Sequence, residues 1–73
     1  MASDFDIKQD TKSQYYWVMN AKNGEPIARS SESYVKKSDC IHGIRLVKDI
    51  APTADVWDLT SGTATKLPAS DIK

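Results

Sequence analysis

Cysteine and histidine each occur once, as Cys40 and His42. A lone cysteine excludes an internal disulfide and suits a reducing compartment, so the expected location is cytoplasmic. A structural zinc site asks for four Cys or His ligands, and one of each falls short. Net charge is missing too: 10 Lys and Arg balance 10 Asp and Glu. That removes the phosphate attraction on which most non-specific nucleic-acid binding rests. No apolar run approaches the ~20 residues of a membrane span. Met1 to Asp10 carries no apolar stretch of the kind a signal peptide uses, so none is expected. Three glycines, scattered along the chain, make no phosphate-cradling loop.

What is present is an ordinary globular mixture, 40% hydrophobic and 27% charged, which argues against a wholly disordered chain. At 73 residues there is room for one domain. A core of that size leaves a monomer marginal, and small domains make up the deficit with disulfides, metals or self-association. The first two lack ligands here, which leaves a second copy of the chain.

Phe5-Asp6-Ile7-Lys8 alternates apolar and polar residues and predicts a half-buried strand. Tyr15 to Asn20, aromatic and β-branched, predicts a second. Lys22-Asn23-Gly24-Glu25 is a hairpin signal, because Asn and Gly tolerate positive φ. A third strand then runs from Pro26 to Ser30. A two-residue turn would set Ile27 opposite Asn20. A three-residue loop with Gly24 in a G1 bulge would set Ile27 opposite Met19. The second is preferred because it pairs two apolar side chains. Ser38 is the expected helix N-cap, with Asp39 in the first turn. Cys40, Ile44, Val47 and Ala51 recur at helical spacing, with Gly43 and Ile50 near the same stripe. Gly43 predicts a close helix-on-sheet contact, and Pro52 ends the helix. Ala54 to Leu59 reads as a fourth strand. Residues 1–60 form the expected domain, and 61–73, rich in Ser, Thr, Ala and Gly, a poorly ordered tail.

The series Tyr15-Tyr16-Trp17, Asn23-Gly24-Glu25-Pro26-Ile27-Ala28, Ser30-Ser31-Glu32-Ser33-Tyr34, Gly43-Ile44, Val47-Lys48 and Ala51-Pro52 resembles the uncharacterised bacterial YegP-like family. The resemblance implies a small α+β fold: a three-stranded antiparallel meander, one covering helix and a further strand. It also implies that a single-copy chain pairs with itself, as two repeats pack in tandem members, and it brings no catalytic residues. Tyr16 and Val18 stand where relatives often carry polar or basic side chains, and the chain after Leu59 has no recognised counterpart.

The candidate chemistry is thin. Cys40 and His42, two apart on a helix, point about 200° away from each other, which suits a packed thiol and a surface imidazole better than a nucleophile–base pair. Asp39, Asp49, Asp55 and Asp58 have nothing to draw them together. Lys36 and Lys37, with Arg29 and Tyr34, could touch single-stranded nucleic acid, against a neutral background. No enzyme and no cofactor are expected. The helix covers one sheet face, with Tyr15, Trp17, Met19 and Ile27 under it. Tyr16 and Val18 lie on the other face, joined by Trp57 if Val56 points inward. Clustered exposed aromatics mark interfaces. Tyr16, Val18 and Trp57 are therefore the expected surface of a homodimeric, non-enzymatic interaction module. The alternative is a protein binding a small ligand or single-stranded nucleic acid at the dimer seam.

Overall fold

The computed structural model describes residues 3–68 and 70. Three strands, β1 (Asp4–Gln9), β2 (Tyr15–Asn20) and β3 (Pro26–Arg29), form an antiparallel meander in that order. A helix, α1 (Lys37–Ile50), follows and runs into a 3-10 turn over Ala51–Thr53. Then β4 (Val56–Asp58) pairs with β5 (Thr65–Leu67) as a separate two-stranded sheet. The expected α+β architecture, meander, helix and further strand, is present. β5 is an addition: it arises inside the stretch expected to be a tail. Residues 69 and 71–73 of that stretch lie outside the described residues.

Register assigns the faces. Phe5 sits opposite Met19 and Ile7 opposite Trp17. The Phe5 and Trp17 rings meet edge to face at 5.4 Å, a geometry the ring quadrupoles favour. α1 lies on this face. A Cβ built on Gly43 would stand 2.9 Å from the Tyr34 hydroxyl and 3.5 Å from Trp17 Nε1. The glycine therefore lets the helix backbone approach the sheet, as its place in the stripe predicts. Cys40 is fully buried, and Gly43, Ile44 and Val47 are half-buried. Ile50 and Ala51, expected near the same stripe, are exposed where the helix overruns the sheet.

The hairpin register needs correcting. The loop is the expected one: the Ala21 amide donates to the Glu25 carbonyl at 2.8 Å, the Gly24 amide to the Ala21 carbonyl at 2.9 Å, and Gly24 has φ 87°. Beyond it, Asn20 faces Pro26 but Met19 faces Ala28, with a shift between them. Ile27 is passed over and is left 61% exposed. Pro26 has no amide to give the ladder, and the extra residue beside it makes a bulge.

The helix start also differs. Lys36, in an extended conformation, is the N-cap, without a side-chain cap bond. Its carbonyl accepts from the Asp39 and Cys40 amides, which places Ser38 inside the first turn.

Two loops tie the meander to the helix. Tyr15 and Tyr34 exchange backbone hydrogen bonds of 2.7 Å in both directions. The Asp10 carboxylate accepts from the Lys12 and Gln14 amides at 2.9 and 3.0 Å and from the Ser33 hydroxyl at 2.9 Å. Ser30 finishes the β3 side: its amide donates to the Trp17 carbonyl, and its hydroxyl accepts the Trp17 amide at 3.2 Å.

Gly43→Ala should lower the unfolding free energy by about 1 kcal/mol. Overpacking of ~1–3 kcal/mol outweighs the ~1 kcal/mol that alanine adds to the helix. Urea denaturation at fixed protein concentration measures it, and a gain in stability would mean that Tyr34 swings clear. The amide of Gln14, then the Ser33 hydroxyl and the Lys12 amide, hold the Asp10 carboxyl below its ordinary value. A depressed folded-state pKa stabilises the fold above the unfolded value, and the contribution fades as pH falls through the folded one. Asp10→Asn should therefore flatten the acid limb of a stability–pH profile, and an unchanged limb would refute the assignment.

Candidate partner surface

The interior is small. Trp17, Val18 and Cys40 are the buried apolar residues among those described. α1 lies against β2, and the inner face of β1 stays partly open. An open cleft of about 400 Å³ runs between β1 and α1, lined by Phe5, Ile7, Met19 and Ile44, with Ser3, Asp4 and Lys48 as its polar lining. Sequence reasoning placed Tyr15, Trp17, Met19 and Ile27 under the helix but did not find this cleft.

The opposite face of the meander presents Asp4, Asp6, Lys8, Tyr16, Val18, Asn20 and Arg29. Asn20 Nδ2 donates to Asp4 Oδ1 at 3.0 Å and Asp6 Oδ2 at 2.8 Å, which closes one end with a polar clip. Val18 lies between Asp6 on β1 and Arg29 on β3 and is 9% exposed. The Arg29 guanidinium stands 5.1 Å above the Tyr16 ring, a cation–π contact, and Tyr16 is half-buried. Tyr16 and Val18 thus share the expected face but have neighbours of their own. Trp57 does not join them: it is 52% exposed on β4, in the other sheet. Neither Val56 nor Trp57 packs under the helix, because β4 does not pair with the meander. Val35, Ile50 and Leu59 are also exposed.

The remaining chemistry is quiet. Burial pushes the Cys40 thiol up, away from the reactive thiolate, while His42 is exposed. The Thr60 hydroxyl and amide, both donating to the Asp58 carboxylate, hold it low. Asp55 pairs with Lys66 at 3.5 Å, with both side chains more than half exposed, and such a pair contributes at most about 1 kcal/mol. Among the described residues no group of three or more His, Cys, Asp or Glu could hold a metal ion. No helix among them is long and apolar enough to cross a membrane.

The sequence pattern of a domain of unknown function, DUF1508, matches residues 10–58. The chain belongs to that family. A UPF0339 protein of Agrobacterium fabrum is 42% identical over 60 residues, covering 82% of this chain and 95% of the relative. A UPF0339 protein of Treponema denticola is 39% identical over 59 residues, 81% of this chain and 100% of that one. The NMR solution structure of a protein from Haloferax volcanii superposes with a TM-score of 0.72 at 36% identity, over 77% of this chain and 93% of that one. The family is the YegP-like one expected from the Asn-Gly turn, the Ser-Ser-Glu segment and the Gly-Ile helix. Its description assigns no activity, and these relatives carry no enzymatic name.

Proposed function

We propose that this DUF1508 chain is a homodimeric, non-enzymatic interaction module of the cytoplasm, whose first partner is a second copy of itself. Unburied surface carries the reading. The accessible area is 5977 Å², against about 4,500 Å² for a compact monomer of this mass. The Cα radius of gyration is 15.0 Å, against roughly 11 Å for a compact domain of this length. The excess of roughly 1,500 Å² is ample beside the ~800 Å² per partner that a standard interface removes. Val56 and Trp57 on the β4–β5 hairpin, 40% and 52% exposed, belong to that open surface.

Trp57 is the proposed anchor, since Trp is among the commonest interface hot-spot residues. Tyr16 and Val18 contribute less, because Arg29 already shields the ring and Val18 has little surface left to bury. The absence of enzymatic action is part of the proposal and draws on the separation of Cys40 from His42 and on the exposed, dispersed acids.

Sedimentation equilibrium at micromolar concentration should give twice the chain mass. Trp57→Ala should weaken association by about 2 kcal/mol, roughly thirtyfold in Kd. A folded wild-type monomer at that concentration would remove the proposal.

A further inference from the structure

We infer that β1 of one copy pairs antiparallel with β1 of a second copy, in the register that sets Ile7 opposite Ile7 of its mate. This rests on the homodimeric reading and adds a seam that does not pass through Trp57. Backbone direction shows where the border is open. Tyr15 spends its amide and carbonyl on Tyr34, and Trp17 spends its own on Ser30. Backbone groups alternate along an antiparallel strand, so Tyr16, Val18 and Asn20 turn theirs to Lys8, Asp6 and Asp4. The N–H and C=O of Phe5, Ile7 and Gln9 are then left on the far side of β1, which has no neighbour there among the described residues. A depression of about 690 Å³ is lined by Phe5, Asp6, Ile7, Lys8 and Gln9, from both faces of the strand, with Tyr15 and Lys37. It therefore follows the border. The other margin of the meander is barred by Pro26 and its bulge.

The charges select the occupant and the register. A two-fold axis normal to the sheet keeps helix-side residues opposite helix-side residues. Centred on Phe5, it sets Asp4 against Asp6. Centred on Asp6 or on Lys8, it sets that charge against its own copy. Like charges directly opposite destabilise a ladder. Centred on Ile7, it sets Asp6 against Lys8 twice, in the pairs whose side chains approach most closely, and joins Ile7, 38% exposed, to its copy. Asp6 accepts from Asn20 on Oδ2, which leaves Oδ1. Lys8 has no ion pair among the described residues. The next residues outward, Asp4 and Asp10, keep their carboxylates on groups of their own chain: Asn20 for the first, Lys12, Gln14 and Ser33 for the second. Lys37, on the helix side, meets the uncharged Phe5, Ile7 and Gln9 of the incoming strand. The strand is thus its own complement about Ile7, and that reciprocity points to a second copy.

Isotope-filtered NOE spectra of mixed labelled and unlabelled chains test the seam directly. Cross-peaks should join the Asp6 Hα of one copy to the Lys8 Hα of the other, and the Ile7 amide should be protected from exchange. Lys8→Glu and Asp6→Lys should each raise the dimer Kd roughly tenfold, since two pairs turn repulsive at once. An equimolar mixture of the two variants should recover the wild-type affinity, because the mixed dimer regains opposite charges at both positions. A mixture that binds no more tightly than either variant would refute the register. A dimer by sedimentation without the Asp6–Lys8 cross-peaks would overturn the ladder and leave the homodimer standing. Cross-peaks from Val56–Asp58 of one copy to residues 5–9 of the other would overturn it as well, by giving the border to β4. A monomer would overturn both readings.

Discussion

The contact between α1 and Trp17, made through the bare backbone at Gly43, holds the layers of this molecule together. A helix brought that close shields Trp17, its own Cys40 and parts of Ile44 and Val47, and little else. Its position over β2 decides what stays open. The inner side of β1 becomes a cleft, and the last turn at Ile50 hangs beyond the sheet. The same contact has a cost: Trp17 Nε1 is buried without a hydrogen-bond acceptor among the described residues, which commonly sacrifices about 1–3 kcal/mol.

Local chemistry made most of the fold legible. Tyr15 to Asn20 announced β2 by composition, Asn23-Gly24 announced the loop, and Cys40, Ile44 and Val47 announced the helix face. Where the sequence misled, a nonlocal effect won. Ile27 looked like a partner for Met19, but Pro26 could not supply a ladder bond and a bulge moved Ala28 into that place. Ser38 looked like a cap, but the Tyr15–Tyr34 bridge brings the chain in so that the Lys36 carbonyl closes the first turn. β5 escaped notice because Thr65-Lys66-Leu67 is short and, among the described residues, pairs with β4 alone. The candidate surface was less legible: alternation placed Tyr16 and Val18 on the face away from the helix, but nothing local reveals that Arg29 would lie over the ring or that Trp57 would sit in a second sheet.

The family match begins at Asp10 and ends at Asp58. It takes in β2, β3, α1 and β4, and the likeness to relatives runs further, over 60 residues in the Agrobacterium fabrum protein. β1 forms one wall of the cleft, and β5 braces β4 into a hairpin. Likeness to the Haloferax volcanii structure supports the common core of the fold.

The bulge at Ile27 sets the character of one border of the meander. β3 is four residues long, opens with Pro26 and is kinked beside it, features that natural sheets use to blunt a border against strand addition. β1, six residues long and free of proline, keeps a regular border. Of the two margins of the meander, β3 is therefore guarded at Pro26, while β1 keeps the regular backbone spacing that a ladder requires.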